Sequence, residues 1–144
     1  MDKENKISIT FSALSENESF ARNAVACFAL QLNPSLSEIS DIKTAVSEAV
    51  TNAIVHGYPS GTGEIRIDAC IIEKSIHIKI IDQGVGIENL EQALEPFFTT
   101  KADDERSGMG FTIMKSFMDN VVVESKLGCG TKIYMSKLIN TDCA

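Results

Sequence analysis

Five stretches of the chain are predicted as β-strands, and the first three alternate apolar with polar residues, the period of two that is typical of strands with one buried face. The clearest has isoleucines at positions 76, 78 and 80. The second and third stretches are joined at Lys74-Ser75, and the fourth and fifth at Gly128-Cys129-Gly130, so each pair predicts a hairpin. The predicted strands cover residues 7–11, 65–71, 76–82, 121–127 and 131–138.

A capping pattern marks the start of the first predicted helix. Ser15 lies three residues before Glu18, a spacing at which the serine side chain accepts from free amides of the first turn while the glutamate reaches back. The pattern predicts a helix from Ser15 to about Gln31, and Asn33-Pro34 ends it because proline cannot continue the hydrogen-bond ladder.

A second, more strongly periodic helix is predicted from Ser37 to Gly57. Its apolar residues recur at spacings of three and four, which places them on one face of the helix. Glycine is a frequent helix terminator because it adopts a left-handed conformation at no steric cost, so Gly57 ends the segment. The predicted buried stripe comprises Ile39, Ile42, Ala45, Val46, Ala49, Val50, Ala53 and Ile54.

The remaining segments complete an α+β arrangement. A short helix is predicted over 88–94, a polar run at 101–107 with little to bury is interpreted as a mobile lid, and a third helix is predicted over 109–118. Strands that follow one another as hairpins indicate a two-layer α/β sandwich, with an antiparallel-rich mixed sheet and helices on one face. At 144 residues we expect a single domain, 1–144.

Composition and charge exclude some classes of partner and location but do not identify a function. Thirteen basic against twenty acidic residues give a net charge of −7, which disfavours non-specific binding to nucleic acid or to anionic membranes. One nucleotide remains possible, because its phosphates need only a local nest of amides, a metal ion and one or two cations. There is no apolar signal core at the start and no stretch long enough to cross a membrane, so a cytoplasmic location is expected. Reduced thiols are expected, since no C-x-x-C pair joins Cys27, Cys70, Cys129 and Cys143.

Three polar residues follow one another at helical spacing on the second helix. Glu48, Asn52 and His56 are each four residues apart, so their side chains point in roughly one direction beside the apolar stripe. They would emerge at the edge of the core, where a cleft between helix and sheet is expected. A solvated polar face explains the same row, and His56 is also explained as a helix-end residue without chemistry.

A second group of candidate residues lies at strand ends. Asp82 shares the parity of the inward isoleucines, so its carboxylate is predicted to point between sheet and helices, where it needs a partner. Gly84 and Gly86 follow and allow close approach of the main chain to a ligand. Thr131 has the parity of inward Ile133, which would bring its hydroxyl into the pocket of Asp82. Ordinary turns explain these glycines equally well.

The segment Ser107-Gly108-Met109-Gly110 opens the third predicted helix, where free amides and the helix dipole attract phosphate. A plain glycine-rich helix start is the alternative. The chain has no G-x-x-x-x-G-K-[ST] segment and no complete G-x-G-x-x-G segment, so Walker-type and Rossmann-type nucleotide sites are rejected.

Taken in chain order, these blocks resemble the N, G1, G2 and G3 boxes of the GHKL superfamily of ATP-binding proteins, which adopt the Bergerat fold. The superfamily includes gyrase, the heat-shock chaperone, histidine kinases and the mismatch-repair ATPase. The segments 15–22, 47–58 and 95–101 are similar to those of its anti-sigma serine kinases from endospore-forming bacteria. The four blocks are Glu48-x-x-x-Asn52, Asp82-x-Gly84-x-Gly86, Gly108-x-Gly110 and Gly128-x-Gly130-Thr131.

The resemblance implies ATP or ADP and Mg²⁺ as cofactors and assigns roles by position. Asn52 would help to hold Mg²⁺ against the phosphates, and Glu48 would be the general base for a serine hydroxyl. Asp82 would accept from the exocyclic amine of adenine, with Thr131 in support. Gly84 and Gly86 would line the base and sugar. The implied phosphate-binding residues are Ser107, Gly108 and Gly110, with Lys101 or Arg106 closing on the phosphates.

The resemblance also implies protein partners. Arg22 matches a partner-contacting arginine, although an ordinary exposed arginine explains it as well. The implied partners are a sporulation sigma factor of the F type, which the protein would bind and inhibit, an anti-anti-sigma phosphoacceptor and a second copy of the chain. A stress-response switch kinase and an ATP-gated binding module without phosphoryl transfer remain alternatives. A histidine kinase proper is disfavoured, because 144 residues leave no room for a separate dimerisation helix that carries a phosphoacceptor histidine. His77 is interpreted as a surface residue of a strand.

Overall fold

The computed structural model describes residues 4–90, 94 and 110–140, and these residues form one five-stranded sheet with helices packed on one face. The strands lie in the order β1-β2-β3-β5-β4. Every pairing among them is antiparallel, so the predicted sheet is antiparallel throughout this part of the chain and not mixed. The strands are β1 (Asn5–Ser12), β2 (Glu64–Ile72), β3 (Ser75–Asp82), β4 (Asn120–Lys126) and β5 (Gly130–Leu138).

The predicted hairpins are confirmed, with small shifts at their turns. β2 and β3 are joined by Glu73 and Lys74, one residue earlier than predicted, and Glu73 adopts the left-handed conformation with φ of 55°. Gly130 belongs to β5, where it pairs with Lys126. Alternate residues of β3 are buried, as the period-two pattern predicted.

The helices that cover the sheet are also those predicted. They are α1 (Glu16–Ala29), which continues as a 3₁₀ turn at Leu30–Leu32, α2 (Leu36–Asn52), which continues as a π-helical turn at Ala53–Gly57, and α3 (Gly110–Phe117). α2 lies between α1 and α3. Among the described residues, no helix combines the length and the apolar character that a bilayer span requires.

The predicted capping box at Ser15 is wrong. Ser15 has helical φ and ψ of −54° and −34°, and its side chain makes no capping hydrogen bond. A capping serine needs an extended backbone to aim its oxygen at the free amides. Glu18, the expected partner of that box, instead accepts two hydrogen bonds from Arg22, at 2.7 and 2.5 Å.

A capping box does begin α2, at Ser35. Ser35 is extended, its hydroxyl accepts from the Glu38 amide at 3.0 Å, and the Glu38 carboxylate accepts from the Ser35 amide at 2.9 Å. The helix therefore begins one residue before the predicted Ser37. Desolvation by itself would raise the pKa of Glu38, but hydrogen bonds from the Asn140 and Ser35 amides, with the Ser35 hydroxyl and the charge of Lys137, together outweigh it and hold the pKa below its ordinary value.

One core lies between the helices and the sheet. The predicted stripe of α2 is buried from Ile42 to Ala53, with Ile39 and Ile54 partly buried at its margins. Against it pack the inward isoleucines of the two central strands, and each fully buried side chain of this size contributes roughly 1.5–3 kcal/mol. These central isoleucines are Ile65, Ile67, Ile76, Ile78 and Ile80.

Two predicted segments fall largely or wholly outside the described residues. The lid at 101–107 lies wholly outside. Of the helix over 88–94, residues 91–93 lie outside, and the amide of Leu94 donates to the Leu90 carbonyl at 3.1 Å, the i to i−4 bond of one helical turn.

Candidate functional site

A row of five residues crosses the inner face of the sheet from edge to edge. Strand register aligns Phe11 with Ile65, Ile65 with Asp82, Asp82 with Thr131, and Thr131 with Ser125. The first two are apolar and buried in the core. The last three are polar, so the inner face changes from an apolar floor to a polar one at the end of β3.

Asp82 is buried, with 5% of its surface exposed, which confirms its predicted inward orientation. Desolvation raises the pKa of its carboxyl above the ordinary value of 3.8, and hydrogen bonds from the main-chain amides of Gly84 and Thr131 oppose that effect. The Gly84 amide donates to Oδ1 at 2.9 Å. A buried acceptor of this kind favours a ligand that brings N–H donors.

Glycines allow main-chain segments to close around the end of β3. A Cβ on Gly84 would lie 1.9 Å from the Gly57 carbonyl oxygen, and one on Gly130 would lie 2.2 Å from the Asp82 carbonyl oxygen. A Cβ on Gly57 would come within 3.0 Å of the Asp82 carboxyl group. Only glycine permits the main-chain approaches at 84 and 130, and Gly130 also has a positive φ of 83°.

Two main-chain hydrogen bonds of Val85 join the loop after Asp82 to two other segments of the chain. The amide of Val85 donates to the Gly57 carbonyl at 2.9 Å, and the Val85 carbonyl accepts from the Gly128 amide at 2.7 Å. Gly86 has a φ of 77°, and a Cβ there would lie 2.1 Å from the Lys126 carbonyl oxygen. The segments that resemble the G1 and G3 boxes are therefore in direct contact.

Ser125 is a polar member of the row that the sequence reasoning missed. Its hydroxyl accepts from the Ile87 amide at 2.8 Å, donates to the Gly130 carbonyl at 3.1 Å and lies 2.7 Å from the Thr131 hydroxyl. Its parity with Val121 and Val123 was a usable signal, because it places a serine on the inward face of a strand.

Tyr58 is a second residue that was not singled out. Its hydroxyl donates to the Glu64 carbonyl and accepts from the Gln83 amide, both at 2.6 Å. The ring packs so closely on Gly63 that a Cβ there would lie 2.3 Å from it. Tyr58 therefore ties the turn after α2 to the residue that follows Asp82.

The second predicted cluster lies at the end of α2. Glu48 is buried, with 6% exposed, and Asn52 is half-buried one turn later. A Cβ on Gly110, the first residue of α3, would lie 3.0 Å from the Asn52 side-chain nitrogen. The N block and the last glycine of the G2 block are thus in contact. The helix becomes a π-helix directly after Asn52, a rare local geometry that is frequent at functional sites.

Several predicted site residues cannot be located in this way. Lys101, Arg106, Ser107 and Gly108 lie outside the described residues. Of the predicted phosphate-binding group, Gly110 alone is described.

The remaining residues considered in the sequence analysis are Arg22, His56 and His77. Arg22 is on α1, partly exposed and paired with Glu18. His56 is in the π-helical turn, and His77 lies on the helix-free face of the sheet, where its Nδ1 is 2.5 Å from the Tyr134 hydroxyl. On that face an open depression of about 340 Å³ is lined by Lys79, Val122, Glu124, Lys132 and Tyr134.

The described residues contain no group of three or more histidine, cysteine or acidic side chains able to enclose a metal ion. Mg²⁺ does not need such a cage, since it keeps several waters and binds through one or two protein oxygens plus phosphates. Asn52 offers one amide oxygen next to the start of α3. The donor set therefore fits a hydrated Mg²⁺ that arrives with a nucleotide.

Comparison with known proteins places this arrangement in a family. The model of the histidine kinase-like ATPase domain matches residues 11–137. The anti-sigma F factor of Clostridium acetobutylicum is 58% identical over 134 residues, which cover 93% of this chain and 94% of that protein. The chain belongs to the anti-sigma F factor family. The family member from Thermoanaerobacter sp. is 53% identical over 142 residues, 99% of each chain.

Solved structures agree with the fold. The RsbU and RsbW domains of a Mycobacterium tuberculosis protein superpose with a TM-score of 0.68 at 20% identity, over 93% of this chain and 32% of that one. At this identity the likeness concerns the fold alone. For an anti-sigma F factor with an ATPase-type domain, nucleotide binding is implied, and the α+β fold that the sequence predicted is confirmed.

Proposed function

We propose that this protein is an anti-sigma factor that binds and inhibits a sporulation sigma factor and, as an ATP- and Mg²⁺-dependent serine kinase, phosphorylates an anti-anti-sigma protein. The observation that carries the proposal is the meeting of sequence blocks that lie far apart in the chain. Asp82 is enclosed by Gly57, Gly84 and Gly130, while Asn52 contacts Gly110 one helix away. The family relationship supplies the partner classes.

Adenine recognition is assigned to Asp82. An ionised carboxylate only accepts hydrogen bonds, so it favours the exocyclic amine of adenine over the carbonyl that guanine carries at the same position. A carbonyl there would leave the buried carboxylate facing another acceptor, at a cost of roughly 1–3 kcal/mol. Thr131, its register partner on β5, supports this contact, and Gly84 and Gly86 line the base and sugar.

Asn52 would hold Mg²⁺ through its side-chain oxygen. When bound, the ion would neutralise phosphate charge during transfer. The start of α3 at Gly110 lies against Asn52. In the proposal, the main-chain amides and the helix dipole at this end of α3 bind the β- and γ-phosphates. Ser107, Gly108 and either Lys101 or Arg106 complete the phosphate contacts in the proposal.

Glu48 is assigned as the general base. It lies one helical turn before Asn52 and is buried at the edge of the core. In the proposed reaction, Glu48 accepts the proton of the partner's serine hydroxyl, and the serine oxygen forms a bond to the γ-phosphorus. The bond between the γ-phosphorus and the oxygen that bridges it to the β-phosphorus breaks, which releases ADP. Alignment and charge neutralisation supply most of the rate.

The partner surface is assigned to α1 around Arg22. Arg22 remains one-third exposed despite its pair with Glu18, and Phe20, two residues earlier on the same helix, is 55% exposed. Arginine and aromatic residues are both frequent among binding hot spots. We also assign a homodimer and a cytoplasmic location, both from the family relationship.

The experiment that tests the proposal incubates the purified protein with γ-labelled ATP, Mg²⁺ and a lysate of sporulating cells. Label transferred to a serine of a small protein is the expected result. Glu48→Gln should slow transfer by about 10²- to 10⁴-fold and keep ATP binding, because it removes the base and preserves the volume of the side chain. Glu124→Gln, on the helix-free face, is the matched control and should transfer label normally.

Three outcomes would contradict the proposal or one of its assignments. ATP binding without transfer by the wild-type protein would favour the ATP-gated binding module, and transfer by Glu48→Gln at the wild-type rate would remove the assignment of the base. Capture of a stress-response sigma factor instead of a sporulation sigma factor would favour the stress-response switch kinase.

A further inference from the structure

Ser125 is the hydrogen-bonding centre of the polar half of the row. One hydroxyl group contacts the loop after Asp82 through the Ile87 amide, strand β5 through the Gly130 carbonyl, and the Thr131 hydroxyl. Nothing in the proposed function uses this residue. It is partly buried and next to Thr131, which the proposed function places beside the adenine.

The protons of this cluster can be assigned by counting. A serine hydroxyl has one proton and two lone pairs. The Ile87 amide takes one lone pair, and the Gly130 carbonyl receives the proton, since a carbonyl can only accept. All three contacts are hydrogen bonds at the same time only when the Thr131 hydroxyl donates its own proton to the second lone pair of Ser125. Thr131 is left with lone pairs alone.

We propose that Ser125 is a positioning residue that determines base specificity, because it fixes the Thr131 hydroxyl as a hydrogen-bond acceptor. This inference rests on the proposed function, in which Asp82 and Thr131 face the adenine amine. With the Thr131 proton committed to Ser125, both groups that face the base accept hydrogen bonds. Only a base with an N–H donor at that position satisfies them.

The same polarity is transmitted through a water molecule. A water that bridged Thr131 and Asp82 would donate one proton to each acceptor and would present only a lone pair to the base. An exocyclic amine could donate to that lone pair, whereas the carbonyl of hypoxanthine or guanine could not. For the exocyclic group of the base, direct and water-mediated contact thus give the same preference.

Removal of the Ser125 hydroxyl should release the Thr131 proton. In Ser125→Ala the threonine hydroxyl is free to rotate and to donate, either to a base carbonyl or to the bridging water. The protein should then discriminate less well against inosine diphosphate, whose base carries a carbonyl in place of the adenine amine. We expect the ratio of the Kd values for inosine diphosphate and ADP to fall about tenfold.

The experiment is calorimetric titration of ADP and inosine diphosphate into the full chain with Mg²⁺ present. Ser125→Thr keeps a hydroxyl and should retain the wild-type ratio. In a Thr131→Val background, Ser125→Ala should leave the ratio unchanged, because the donor that it releases is gone. Should Ser125→Ala fail to fold, Ser125→Cys is the second variant, since a thiol is a weak acceptor and the ratio should fall in the same direction.

The outcomes separate this inference from the proposed function. Wild-type protein that binds neither nucleotide would overturn the proposed function. Wild-type protein that binds ADP, with a Ser125→Ala ratio equal to its own, would overturn the role of Ser125 alone. A purely structural role, in which loss of the bond to the Ile87 amide loosens the loop, would weaken both nucleotides equally and would also leave the ratio unchanged.

Discussion

Gly84→Ala tests how the loop after Asp82 is packed against the end of α2. The added Cβ would lie 1.9 Å from the Gly57 carbonyl oxygen, 2.4 Å from its carbonyl carbon and 2.8 Å from its Cα. All three are main-chain atoms, so no rotamer change relieves the clash. The two segments must separate by about 1.5 Å before they reach ordinary van der Waals contact.

The cost has two parts. Overpacking of this kind costs about 1–3 kcal/mol. Separation also breaks the hydrogen bond from the Val85 amide to the Gly57 carbonyl, 2.9 Å long, and a hydrogen bond contributes about 1 kcal/mol. A total loss of roughly 2–4 kcal/mol in the free energy of unfolding corresponds to a fall in Tm of about 6–12 °C for a chain of this size.

The assay combines thermal unfolding by circular dichroism with titration of ADP. Gly84→Ala should lower the Tm and weaken ADP, because the Gly84 amide that orients the Asp82 carboxylate moves with the loop. Gly61→Ala is the control: its φ is 81° and no atom lies within 4 Å of the added Cβ. It should cost about 1 kcal/mol of left-handed strain and leave ADP affinity unchanged. If Gly84→Ala melts within about 3 °C of wild type, the shift expected for about 1 kcal/mol, and binds ADP normally, the packing is refuted.

Two further predictions concern the cap of α2 and the pH dependence of the site. Ser35→Ala should lower the Tm by about 3 °C, because it removes a helix cap contributing about 1 kcal/mol. The control, Ser40→Ala on the same helix, should not lower the Tm. An unchanged Tm for Ser35→Ala would contradict the capping box. Because burial raises the pKa of Asp82 above 3.8 and a donor amine stabilises its ionised form, ADP affinity should rise as pH increases from 3.8 through that raised pKa and then level off. Calorimetry against pH, with Asp82→Asn as reference, measures this, and affinity that increases as the pH falls would contradict it.

The sequence predicted most of the fold because its signals are local. Alternation of apolar residues marks the first three strands, and spacings of three and four mark α2, whose buried apolar residues all belong to the predicted stripe. The start of α1 was predicted correctly, but its capping box was not, because a serine and a glutamate three residues apart satisfy the pattern of a capping box whatever the conformation of the backbone. The same pattern at Ser35 and Glu38 is a true cap, since Ser35 is extended and Ser15 is helical.

The candidate site was predictable in part. Helical spacing placed Glu48 and Asn52 together, and strand parity oriented Asp82. The role of Ser125 depends on the register of β4 against β5 and on the loop that reaches it through Ile87, and neither follows from spacing along the chain. The contact of Gly110 with Asn52 joins residues far apart in sequence, so only the packing of α3 on α2 reveals it.

The most direct test of the account is to map the ADP site on the wild-type protein by nuclear magnetic resonance. Amide resonances are assigned, and their shifts are followed as ADP and Mg²⁺ are added. The account predicts that the largest changes among the described residues fall on Gly84, Gly86, Thr131 and the first turn of α3. Changes concentrated instead around Lys79 and Lys132, on the helix-free face of the sheet, would contradict it.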